Sequence, residues 1–383
     1  MRASRFIAHF CHRRLLYATL FVSLAIVSGC IEPIDFETGN EPPRLVVEGL
    51  ISNNSYLDRQ SFPAPAERFY VALRWTRDVS NELDEVISDA NVQLIASNGE
   101  IIRYVWNPEN NRYEIPFDDF KTGDGIRYHI QIELSSGQTY TSEEEQLYPA
   151  PPISQLSTSF ETRVKEIQVG SESVIIDQRG VELAVSLPEH GDGKAYYYRW
   201  KVVPGWIFES SLLSQGNPNK TCYITNKFYF KKINVRTDRT GGYDEPLFFL
   251  ETDDNEKIEH DFTALIIQYS LSPRAYTFWE ELALQQQSGG GIFDPPPFPL
   301  SSNIQNVNNP AEKVSGYFIV AHESVKRWFI NESELPYNLT FPDPCEPVPG
   351  VPFFPPPECV NCLEYQGGHS FITNQKPSWW RND

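Results

Sequence analysis

Residues 126–134 alternate without a break: Ile126, Tyr128, Ile130, Ile132 and Leu134 against Arg127, His129, Gln131 and Glu133. Successive side chains of a strand point to opposite faces, so this pattern demands a β-strand with one face in a core and one in water. The same period recurs. Phe69, Val71, Leu73 and Trp75 alternate with Tyr70, Ala72 and Arg74, and Val181, Leu183, Val185 and Leu187 with Glu182, Ala184 and Ser186. Leu45-Val46-Val47 opens the first strand. Val92, Leu94 and Ala96 lead into the hairpin signal Asn98-Gly99, and Ile102, Tyr104 and Trp106 carry the return strand. With 30 prolines in 383 residues, long helices are disfavoured throughout.

The pattern predicts a mainly β protein: two β-sandwich domains of immunoglobulin or prealbumin-like type in tandem, the second with one inserted helix and long loops. The prolines of Tyr148-Pro149-Ala150-Pro151-Pro152 set a boundary, giving domains at 44–149 and 150–341. In the second, Tyr196, Tyr198 and Trp200 share one strand face, with Tyr197 and Arg199 on the other. Further strands are expected at 228–230, 247–250, 264–269 and 317–321. A helix is predicted over 273–287. Ser272 serves as N-cap and Pro273 as first helical residue, and Tyr276, Trp279, Leu282 and Ala283 share one face before Gly289-Gly290-Gly291. Residues 294–310 read as a loop rich in proline and asparagine.

The N-terminus carries an address. Residues 1–29 hold Arg2, Arg5, Arg13 and Arg14, no acidic residue, and an apolar run over 15–27, the design of a signal peptide. The run ends Ser28-Gly29-Cys30, which resembles a bacterial lipobox, so the Cys30 thiol is expected to carry a covalent lipid. That lipid would anchor the chain on a membrane through its acyl chains, with residues 30–43 as a tether. No other cofactor and no metal is expected. Glu32, Asp35 and Glu37 behind the cysteine resemble surface-export signals, and a solvated tether explains them equally well. Removing four arginines takes the formal charge from -19 to -23. Such a chain is not built for nucleic acid, whose phosphates need lysine and arginine clusters.

Four cysteines remain after processing: Cys222, Cys345, Cys359 and Cys362. Outside the cytoplasm they imply two disulfides, with three connectivities open. They would tie down the tail 342–383, where eight of the 17 residues in 342–358 are proline and no independent core can form.

The closing run Cys359-Val360-Asn361-Cys362, Gly367-Gly368, Lys376-Pro377 and Trp379 resembles the end of the domain-of-unknown-function 4249 family. Three more segments are similar to that family. They are Val47-Glu48-Gly49-Leu50-Ile51, the linker from Pro149 to Ile153, and the stretch from Phe278-Trp279-Glu280-Glu281 to Gly316-Tyr317-Phe318. Two departures stand out: Trp379-Trp380 where one aromatic pair like Phe-Trp is usual, and a longer proline insert between Cys345 and Cys359. The resemblance implies an outer-membrane lipoprotein of Bacteroidota working beside a TonB-dependent receptor barrel. It transfers no catalytic residue.

Motifs of chemistry are sparse. His322-Glu323 fails as a zinc-protease signature because Lys326 stands where the second histidine belongs. GxSxG, P-loop and GxGxxG patterns are absent. Asp253-Asp254 suits weak Ca²⁺ binding at most, and Glu280-Glu281 on a helix point apart. The chain is therefore read as a non-enzyme. The candidate contact residues are Tyr197, Arg199 and Trp206, with Phe293 and Phe298 at the ends of a proline loop. The expected role is non-catalytic accessory or binding partner of a TonB-dependent transporter in nutrient capture or uptake. The alternatives are a surface adhesion or envelope-structural module and, after it, a surface hydrolase.

Overall fold

The computed structural model describes residues 43–60, 68–76, 85–170, 172–287, 298–341, 345–346, 354–368 and 370–381. The signal peptide, Cys30, residues 30–42 of the tether, Gly289-Gly290-Gly291 and Phe293 lie outside them.

The protein is mainly β. In chain order its principal elements begin with β1 (Leu45–Ser52), β2 (Tyr70–Trp75), β3 (Asn91–Ala96) and β4 (Ile101–Arg103). Next come β5 (Arg127–Glu133), β6 (Thr139–Ser142), β7 (Gln155–Val169) and β8 (Glu172–Leu187). They are followed by β9 (Tyr196–Glu209), β10 (Thr221–Thr225), β11 (Tyr243–Glu251) and β12 (Asp261–Ser270). The helix α1 (Pro273–Gln287) precedes β13 (Ile304–Asn306), β14 (Ser315–Asn331) and β15 (Phe371–Thr373). Among the described residues the largest sheet runs β15-β10-β9-β12-β14-β1-β2 and on to Arg112–Glu114 and Val105–Asn107. A second sheet runs β13-β6-β5-β3-β4, and a third β7-β8-β11.

Alternation decides what each sheet buries. Tyr128, Ile130 and Ile132 of β5 pack with Val92 and Leu94 of β3 and with Val47, Phe318 and Val320 of the largest sheet, closing one sandwich. Val181, Leu183 and Val185 of β8 pack on Tyr198, Trp200 and Val202 of β9 and Ile266 of β12, closing the other. The proline linker separates most strands of the two cores in sequence, yet the largest sheet is continuous across it. Its junction is the parallel pair β1–β14, in register from Val46↔Ser315 to Ser52↔Ala321. Gly316 makes that approach possible: its φ is +97°, and a Cβ there would meet the Val47 carbonyl oxygen at 1.9 Å. The linker itself is stitched to β12, where Gln268 Nε2 donates to the Pro151 carbonyl at 2.8 Å.

Three local expectations are corrected. Residues 228–230 form a turn, because the Asn226 side chain accepts the Phe228 N–H at 2.8 Å and ends β10 at Thr225. The strand read through Ile102, Tyr104 and Trp106 breaks at Tyr104 as the chain passes from the second sheet to the largest. The loop 294–310 contributes β13, which pairs with β6.

Candidate functional site

The helix α1 starts where its chemistry places it, with the Ser272 Oγ accepting the Ala275 N–H at 3.1 Å. It lies across the face of the largest sheet opposite both sandwich cores, burying Ala275, Tyr276, Phe278 and Trp279 against Leu50, Tyr269, Tyr317 and Ile319. Between the helix and the β1–β14 junction a pocket of about 270 Å³ stays open, lined chiefly by Val46, Leu50, Phe278, Leu282 and Tyr317.

Arg199 reaches into this pocket from β9. Its guanidinium carbon lies 3.5 Å from the Trp279 ring centroid and 5.7 Å from that of Tyr269. Among the described residues its recorded partners are these rings, and none is a carboxylate. Glu48, which also lines the pocket, instead accepts the Tyr70 hydroxyl at 2.6 Å. The Trp279 Nε1 is buried and has no hydrogen-bond partner among the described residues. Tyr197 shares the face of Arg199, as the alternation requires, and its ring meets Tyr276 of α1 at 5.2 Å. Phe298 is half-buried and its carbonyl accepts the Gln285 Nε2 at 2.5 Å. Two stretches that resemble the family meet here: Val47 to Leu50, and both ends of the longer one, Phe278-Trp279 and Gly316-Tyr317.

Trp206 is not a surface contact. It is 2% exposed and packs against Tyr229 and Tyr365, on the same strand face as Tyr198 and Trp200. Its even spacing from those residues was the signal that puts it in the core.

The cysteines pair as Cys222–Cys362 and Cys345–Cys359. The first bond, with β15 added to the edge of β10, fastens the tail to the largest sheet. The Asp253 carboxylate is taken by Arg179, with Oδ1 accepting from Nη2 at 2.5 Å and Oδ2 from the backbone N–H at 2.9 Å. Glu281 accepts from the Ser301 N–H and hydroxyl at 2.6 and 2.8 Å, so it anchors the chain beyond α1. His190 sits between Asp238, at 3.0 Å from Nε2, and Asp192, at 3.2 Å from Nδ1. A polar cleft of about 550 Å³ is lined by Glu209, Glu259, His260, Asp261 and Glu332. No cluster of three metal-ligating side chains occurs among the described residues.

The third sheet has an unusual extension. β7 and β8 pair along their full length, from Gln155↔Ser186 to Val169↔Glu172. β11 covers β8 only from Gly180 to Leu187. Beyond it eight residue pairs continue as a two-stranded arm, roughly 25 Å long at about 3.4 Å per residue. Val164 and Ile175 on one face are each 71% exposed, and Val169 and Val174 on the other are 57% and 38% exposed. The base of the arm is held by Lys165 to Glu251 at 2.8 Å, and by the Arg163 guanidinium 4.1 Å above the Phe249 ring. A lone two-stranded ribbon is marginal in water.

A family model described as a domain of unknown function (DUF4249) matches residues 31–327. No curated protein and no solved structure matches the chain.

Proposed function

The chain belongs to the DUF4249 family, and from that premise we propose that it is a lipid-anchored outer-membrane protein, held through Cys30, that partners a TonB-dependent transporter. Its role in that assembly is to help capture or admit a nutrient, without catalysing a reaction. The observation that carries the reading is the β7–β8 arm. It leaves its own sandwich, exposes apolar side chains on both faces, and displays Val164 and Ile175 to water. A ribbon that exposes apolar side chains among charged ones suits docking to another protein, through its faces or its β7 edge. The strongly acidic surface supports lipid rather than a basic patch as the anchor.

Crosslinking in whole cells, mild detergent extraction and purification through this chain test the proposal. A TonB-dependent barrel is expected in the purified material. Recovery with no outer-membrane barrel, together with unimpaired growth of a deletion strain on every defined nutrient, would turn the reading toward an adhesion or envelope-structural module.

A further inference from the structure

We infer that the pocket under α1 is a binding site for a small apolar molecule bearing a carboxylate, with Arg199 as its ion-pair partner. The inference stands on the pocket alone and does not depend on the docking arm.

Three observations carry it. The first is charge. Acidic residues outnumber basic ones by 51 to 32, yet the recorded partners of Arg199 among the described residues are two aromatic rings. A guanidinium stacked on an indole keeps its N–H edge clear of protein carboxylates among the described residues, and a planar carboxylate matches that edge in a two-point contact. The second is shape. Leu50, Phe278, Leu282, Tyr317 and Ile319 give the cavity apolar walls, and about 270 Å³ accommodates a ligand of modest size. The third is the cost of the arrangement. Trp279 is 9% exposed, and its Nε1 lacks an acceptor among the described residues. A buried donor without a partner is unfavourable and uncommon where packing alone shapes a site. Glu48 Oε1 accepts the Tyr70 hydroxyl, and no Arg199–Glu48 ion pair occurs among the described residues. Glu48 narrows the choice further, because a second carboxylate on the ligand would meet a like charge.

The probes are 4-phenylbutyrate and its neutral primary amide, titrated into the detergent-solubilised full chain by calorimetry and tryptophan fluorescence. The acid is expected to bind saturably and at least about tenfold more tightly than the amide, a difference of about 1.4 kcal/mol. Arg199→Gln should abolish that preference, and Arg199→Lys should retain part of it, which separates loss of charge from loss of packing. Leu282→Trp, which fills the pocket, should remove binding of both probes. Equal affinity for acid and amide, an unchanged preference in Arg199→Gln, persistent binding in Leu282→Trp, or no binding of either probe would each overturn the inference.

Discussion

Trp380 donates its indole N–H to Asp261 at 3.1 Å, joining the last described residues to the start of β12 across 119 positions of sequence. Arg381 adds two contacts to the other oxygen of the same carboxylate, Nε at 3.0 Å and Nη2 at 2.5 Å. Asp261 is 5% exposed, so the proline-rich tail is locked by a buried, fully engaged anion. Asp261→Asn should loosen the tail and cost about 1–3 kcal/mol. Limited proteolysis beyond residue 341, compared with urea unfolding of the whole chain, measures both effects.

Burial pushes the Asp261 carboxyl up, but the hydrogen bonds from Arg381 and Trp380 outweigh it and hold the group below its ordinary range. A carboxylate with a depressed folded pKa stabilises fully above its unfolded value, near 4, and loses that contribution as pH falls through the folded value. The tail should therefore stay protected from protease down to about pH 4 and be released below it. Asp261→Asn should remove that acid-triggered step.

The two disulfides enclose very different lengths of chain, with sequence separations of 140 and 14. Loop-closure entropy makes the longer one the stronger constraint on the unfolded state, by about 2 kcal/mol. The double variant Cys222→Ser/Cys362→Ser should unfold at a clearly lower urea concentration than Cys345→Ser/Cys359→Ser. Equal midpoints would mean that native packing of the tail, rather than chain entropy, sets its stability.

Gly316 joins the two sandwiches because only a residue without Cβ fits beside the Val47 carbonyl at φ +97°. Gly316→Ala should destabilise by about 2 kcal/mol or more, from strained backbone and a lost strand approach. Thermal unfolding should fall for the whole chain as one unit, since β1 and β14 carry side chains of more than one core.

The strands and the helix were legible because their signals are local. Tyr128, Ile130 and Ile132 bury as their alternation requires, and Ser272-Pro273 fixes the start of α1. Which strands become neighbours was not legible. Periodicity says which face of β1 is buried but not that β14, some 270 residues on, lies parallel beside it. The arm escaped for a related reason. Residues 161–179 mix charge and apolar side chains on both faces, so the pattern names no buried side. Arg199 was visible as an outward residue of its strand. Its placement over Trp279 depends on how α1 crosses the sheet, which no local pattern encodes.

The arm offers the most direct test of the proposed partnership. Val164 and Ile175 lie outside the paired length of β11 and are each 71% exposed, so replacing them touches no core and should change stability by less than about 0.5 kcal/mol. A photo-crosslinking amino acid placed at either position in living cells should capture a TonB-dependent outer-membrane barrel, and Val164→Lys with Ile175→Lys should abolish co-purification of that barrel while leaving unfolding unchanged. Crosslinks to no barrel from either position, with co-purification undiminished in the double lysine variant, would contradict docking through the arm.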